Sequence, residues 1–202
     1  MDPRAERTIE AVLGAAEKLL SKRPITDVTV EEIAAAAGVA VGSVYNHFGS
    51  KAGVHIALVE RAIDVDRRFM DLAYTDSRGP VEQLYAAAEE YLAFYLENPE
   101  YFRMLASPVD PGSYPAGREL GERLAKSVDE QNGRMVEAIR AGIEAGNIRD
   151  IDPEDAATML WAAWNGIISL GWRPDSLKRK PKDLRRLLRL ATETVAHGMF
   201  TK

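Results

Sequence analysis

"TVEEIAAAAGVAVGSVYNHFGSK", residues 29–51, sets two short, apolar-patterned segments on either side of one glycine, Gly38. Thr29 is placed to cap the first as a helix while Glu32 reaches back to the cap, the Ser/Thr-x-x-Glu capping box. Gly38 stops that helix and supplies the turn. A third helix follows from about Val41 to Phe48, and Ser50 is placed to cap a long fourth. Two short helices about a glycine turn are the helix-turn-helix pattern. The spacing separates inside from outside. Ala34 is small where the helices cross, Val44 anchors the second helix from beneath, and Ile33 and Val39 fill the other inward positions. Val41, Gly42, Ser43, Tyr45, Asn46 and His47 are left facing outward. Their hydroxyls, amide, imidazole and methyl-bearing surface suit the major groove of double-stranded DNA. Lys51 adds a candidate phosphate contact.

Helical periodicity continues in both directions and no strand-like alternation interrupts it, so the chain reads as all-α with about nine helices. The first carries Ile9, Val12, Leu13, Ala16 and Leu20 on one stripe, and Arg23-Pro24 ends it. The fourth aligns Val54, Leu58, Ala62, Val65, Phe69 and Leu72. Pro80 opens the fifth, whose apolar surface (Val81, Leu84, Tyr85, Ala88, Leu92, Tyr95) is widened by Tyr91 and Phe94, so it is expected to be surrounded. A short sixth helix follows Asn98-Pro99. Ser107 to Gly117 is the least regular stretch. The seventh helix ends at Gly146, the eighth starts at Asp152-Pro153, and Pro181 precedes a ninth. The expected division is a DNA-binding domain over 1–52 and a second domain over 53–202.

Composition narrows the function classes. Hydrophobic residues make up 46% of the 202 and the net charge is -5, so the protein is not a general nucleic-acid coat. There is no cysteine, which removes thiolate nucleophiles and Cys-ligated zinc. The start of the chain has no apolar signal segment, and "AATMLWAAWNGIISLGW" is too short and interrupted to span a membrane, so a cytoplasmic protein with no membrane partner is expected. His47 has no accompanying nucleophile motif, Gly42 and Gly49 match no phosphate loop, and no histidine pair has metal-ligand spacing. No catalytic residue, metal or cofactor is therefore expected. The acid pairs Asp64/Asp66 and Glu89/Glu90 read as solvent-facing helix residues. The basic run from Arg173 to Arg189 reads as a solvated loop and helix face, because no aromatics are interleaved.

Residues Arg7 to Leu58, and above all the Y-x-H-F-x-S-K run from Tyr45 to Lys51, resemble the DNA-binding domain of the tetracycline-repressor (TetR) family of bacterial regulators. "GIEAGNIRDIDPEDAA" resembles the join between that family's seventh and eighth helices. The resemblance implies a homodimer in which a small-molecule effector in the second domain controls affinity for an operator. It implies that Thr29, Ser43, Tyr45, His47 and Lys51 contact phosphate or bases, and that Val41, Gly42 and Asn46 face the groove. Two positions depart from the pattern. Ala40 cannot cap the recognition helix through its side chain, and Val41 stands where a polar residue would read bases more directly. Residues 1–51 also hold six basic against seven acidic side chains, which weighs against strong non-specific DNA binding.

In the second domain, Phe69, Tyr91, Phe94, Tyr95, Phe102, Leu105, Met135, Trp161 and Trp164 are expected to line an apolar effector cavity. The eighth helix is apolar nearly all round. With the ninth it suggests a two-fold four-helix interface through Leu160, Ile168, Leu184, Leu188, Ala191 and Val195. Two other classes stay open: an all-α enzyme or carrier with an incidental helical hairpin, and a DNA-binding protein without an effector.

Overall fold

The computed structural model describes residues 2–106 and 117–199, with the side chains of 117 and 195–199 left aside. The stretch 107–116, expected to be irregular, lies outside the described residues. Those described form nine α-helices: α1 (Pro3–Leu20), α2 (Val30–Ala37), α3 (Val41–Phe48), α4 (Lys51–Ala73), α5 (Pro80–Glu97), α6 (Pro99–Ala106), α7 (Gly117–Glu144), α8 (Pro153–Ser169) and α9 (Pro181–Met199). A 3₁₀ turn, Ile25–Asp27, which the sequence did not announce, joins α1 to α2.

The packing divides the chain into two compact units: Met1–Asp64 with Glu100–Leu124, and Val65–Pro99 with Ala125–Lys202. The division does not follow a single boundary at 52/53, because it falls inside α4 and again inside α7. In the first unit, Val12, Leu13 and Ala16 of α1, Ile33 and Ala34 of α2, Val44 of α3, and Val54 and Leu58 of α4 share one core. Ala34 is fully enclosed, as its small size at the crossing requires. Gly53 permits a close approach: a Cβ there would stand 1.9 Å from the Phe48 carbonyl oxygen, so α4 can start this tightly after α3 only with glycine.

In the second unit, α5 packs against α8 and α9, which pack against each other. Leu84, Ala88, Leu92 and Phe94 of α5 are buried, as its wide apolar surface predicts. The α4 stripe is not the one expected. Leu72 is 57% exposed, whereas Asp66, Met70 and Ala73 are buried. The partners of the second half of α4 select a neighbouring face, and Asp66, expected in solvent, goes inside. The basic run is indeed a solvated face, much of it paired within the chain. Arg173 bonds Asp175, Arg179 caps the carbonyls of residues 176–178, and Arg185 and Arg189 reach Glu89 on α5.

Candidate nucleic-acid interface and effector site

The recognition helix is positioned by local chemistry. The Thr29 hydroxyl accepts from the Glu32 amide at 3.1 Å, and the Thr29 amide donates to the Glu32 carboxylate at 2.9 Å, closing the capping box. Glu32 also pairs with Arg23 at 2.9 Å. The Thr29 amide, with help from Arg23, holds the Glu32 carboxyl below its usual range. Gly38 takes the left-handed conformation (φ 68°) that ends α2 and aims α3. Ala40 gives α3 no side-chain cap, as its identity dictates.

On α3, Gly42, Asn46 and His47 are exposed and Tyr45 is 48% exposed, a large ring turned to solvent from a helix whose Val44 is buried. Ser43 is half-buried. Two expected contacts need correction. Val41 is partly buried against the first-unit core, because α3 rests on that side as well as on Val44. The Lys51 ammonium donates to the carbonyl oxygens of Ile25 and Val28, each at 2.9 Å, with that of Thr26 at 3.5 Å. It is therefore committed inside the chain, joining the first turn of α4 to the 3₁₀ segment, and does not stand free for a phosphate. Residues 24–28 carry no pattern that announces this acceptor cluster.

The aromatic residues of the second unit fall into groups. Phe69 lies 5.7 Å from Phe94 and Tyr91 lies 6.3 Å from Trp164, centroid to centroid. The Tyr91 hydroxyl donates to Asn165 at 3.1 Å, and the Asn165 amide donates to the Trp161 carbonyl at 3.0 Å. Trp164 donates its indole N–H to Thr192 at 3.1 Å, and Thr192 donates to the Leu188 carbonyl at 2.9 Å. Burial raises the Tyr91 phenol above its ordinary range and the nearby Asp66 charge raises it further, against side-chain hydrogen bonds from Asn165 and Trp161.

Tyr95 belongs elsewhere. It stacks near Trp172 at 5.6 Å and lines a cavity of about 520 Å³ with Leu96, Pro99, Gly171, Pro181 and Leu184, rimmed by residues 178–180. Gly171 admits the ring, since a Cβ there would stand 2.3 Å from the Tyr95 hydroxyl. Met135 is buried in the second unit. Phe102 and Leu105 fall within the first, where Leu105 packs with Ile25, Val59 and Ile63. Of the nine expected cavity residues, seven belong to the second unit and two, Phe102 and Leu105, to the first. Asp66, Asn165 and Thr192 were missed because a polar residue inside an apolar helix pattern looks the same whether it faces water or a buried partner.

The expected dimer residues are also corrected. Leu160, Ile168, Leu184 and Leu188 fill the interior of their own chain, Leu188 being 1% exposed. The α8–α9 contact within one subunit already consumes those stripes. Ala191 is half-buried, and the Val195 side chain lies outside the described residues. Among the described side chains, those apolar and turned outward include Met159 and Ala162 on α8 and Leu190 on α9.

An α3 of this kind, set by a glycine turn after the capped α2 and displayed on a helical core, defines a helix-turn-helix DNA-binding regulator. The family model for bacterial regulatory proteins of the tetR family matches residues 12–58, and that for the tetracyclin repressor-like C-terminal domain matches residues 84–195. The chain belongs to the TetR family, whose members are ligand-responsive DNA-binding regulators of transcription. It is 27% identical over 159 residues to the HTH-type transcriptional regulator RutR of Escherichia coli K12, covering 76% of this chain and 70% of RutR. It is 28% identical over 185 residues to the transcriptional regulator AcuR of Cereibacter sphaeroides, covering 87% and 82%. Among solved structures, the triclosan complex of SmeT, the repressor of the Stenotrophomonas maltophilia multidrug efflux pump SmeDEF, superposes with a TM-score of 0.76. It is 25% identical, over 96% of this chain and 92% of SmeT. No described helix is long and apolar enough to cross a membrane.

Proposed function

We propose that this protein is a cytoplasmic, homodimeric repressor released from an inverted-repeat operator by a small aromatic effector. Gly42, Tyr45, Asn46 and His47 read the major groove, with Ser43 and Thr29 at the phosphates. Lys51 acts from behind by fixing the angle of α4. The effector sits among Phe69, Tyr91, Phe94, Trp161 and Trp164. The observation that carries this reading is the α3 face: polar and aromatic side chains project from a helix fully anchored on its other side. The SmeT–triclosan complex supports an aromatic ligand in a protein of this fold.

The dimer uses the outward side chains Met159 and Ala162 of α8 and Leu190 of α9, with the half-buried Leu187 beside them. Two-fold recognition helices then meet successive major grooves about 34–36 Å apart, which makes the operator an inverted repeat. Selection of bound sequences from random duplexes by the purified protein tests the proposal, followed by mobility shifts with and without effector candidates. Linkage requires that an effector weakening operator binding be weakened by operator equally, typically about 5–150-fold. Tight, sequence-independent binding unaffected by any ligand that stabilises the protein would overturn it.

A further inference from the structure

Asp66 is 7% exposed and its Oδ1 has no hydrogen-bond partner. A buried carboxylate in this state is costly, so native proteins generally pair such a group or bind something to it. The surrounding polar atoms do not supply a partner. The Tyr91 hydroxyl is used on Asn165, the Asn165 amide on the Trp161 carbonyl, the Trp164 N–H on Thr192, and the Thr192 hydroxyl on Leu188. The nearby cations are engaged too. Arg134 bonds Asp71 at 2.9 Å and lies 4.8 Å over the Tyr74 ring, and Arg67 pairs with Glu130. Among the described residues of the second unit, the donors in this group are committed and one buried acceptor is left over.

We propose that Asp66 anchors the positively charged head of the effector, so that the second unit takes a cationic amphiphile: a flat aromatic body carrying a protonated amine. The inference rests on the effector reading above and adds the ligand's charge. An ammonium supplies both the missing donor and the missing charge, and a charge-assisted hydrogen bond is the stronger kind. Asp66 shares its face of α4 with Phe69, three residues on, and its charge reaches Tyr91. Phe69 and Tyr91 each lead into a ring pair, Phe69 with Phe94 at 5.7 Å and Tyr91 with Trp164 at 6.3 Å, and aromatic faces attract a desolvated cation. Burial raises the Asp66 carboxyl to about 7, against the weaker pull of Arg67 and Arg134, so near neutral pH it is shared between the neutral and the ionised form, and a bound cation would favour the ionised one.

The test is calorimetric titration of the full-length protein with three isosteric probes: naphthylmethylamine as its ammonium, naphthylmethanol and naphthoate. The ammonium is expected to bind at least about tenfold tighter than the alcohol, a difference of about 1.4 kcal/mol, with naphthoate weakest. In Asp66→Asn the preference for the ammonium disappears while the alcohol keeps its affinity. Equal or weaker binding of the ammonium in the wild type, or a preference intact in Asp66→Asn, would overturn the proposal and leave the effector reading standing. Failure of all three probes to bind would remove both. A stability measurement covers the case of a merely structural aspartate. Asp66→Leu without ligand is expected to raise the melting temperature by roughly 2–4 °C for each kcal/mol of relieved desolvation. A lower melting temperature means that Asp66 holds the fold together, and overturns the proposal.

Discussion

Around the recognition helix, the first unit uses its polar groups in short closed circuits. Thr29 and Glu32 satisfy each other, Arg23 takes the remaining Glu32 oxygen, and Lys51 takes the carbonyls of the turn before α2. The second unit holds two short relays, from Tyr91 through Asn165 to the Trp161 carbonyl and from Trp164 through Thr192 to the Leu188 carbonyl, and leaves the Asp66 Oδ1 without a hydrogen bond. A reading head gains from rigidity, because base contacts depend on fixed angles and nothing more is needed to complete it. Around Asp66 one acceptor remains for a ligand to meet, and this difference between the surroundings of α3 and those of Asp66 is a local one in a chain that is helical in both halves.

The largest test of this contrast is Leu188→Glu. The sequence alone would have this variant separate a dimer. The structure instead puts a carboxylate into the interior of the second unit, so the expected result is loss of its folded state, by several kcal/mol. Circular dichroism and sedimentation together distinguish this from a folded monomer.

Titration behaviour divides the units next. Burial holds His55, in the first unit, down to about 4 from 6.5. The unfolded chain therefore takes up a proton between those pH values that the folded one refuses, and stability rises with pH across 4–6.5. Burial raises Asp66, in the second, to about 7 from 3.8. The folded chain then binds more protons than the unfolded one in that window, and stability falls as pH rises from 4 to 7. Each limb has a limiting slope of about 1.4 kcal/mol per pH unit, and over most of the range they oppose each other. Denaturant melts of Asp66→Asn should keep only the rising limb, and those of His55→Gln only the falling one.

Lys51→Ala and Tyr45→Ala sharpen the comparison inside the first unit. Removing the ammonium leaves the carbonyls of Ile25 and Val28 without their charged donor, at a cost of about 1.5–3 kcal/mol. Because the Lys51 ammonium is committed to these carbonyls, the salt dependence of DNA binding should keep its slope. Tyr45→Ala should change stability by no more than about 0.5 kcal/mol and still weaken operator binding. Thermal melts paired with DNA titrations at several salt concentrations separate the two.

Thr29→Ala, which opens the capping box, should cost about 1 kcal/mol. Smallest of all is Arg189→Ala. It breaks an exposed pair with Glu89 at 3.3 Å and should register between about 0 and 1 kcal/mol in a urea melt.

Local chemistry alone determined much of this protein. The capping box at Thr29, the left-handed stop at Gly38, the proline starts of α5, α8 and α9, and the inward set of Ala34 and Val44 depend on residues within a turn or two of each other. A single sequence displays such relations directly, and the same residues carry the family resemblance. Tertiary structure alone decided which face of α4 is buried past Ala62, and so that Asp66 goes inside while Leu72 stays out. It also committed Lys51 to carbonyls more than twenty residues away, split the predicted aromatic set between two units, and spent Leu160, Ile168, Leu184 and Leu188 inside one subunit. Apolar periodicity marks the residues that must leave water but not the surface that will cover them. That choice belongs to partners distant in the chain.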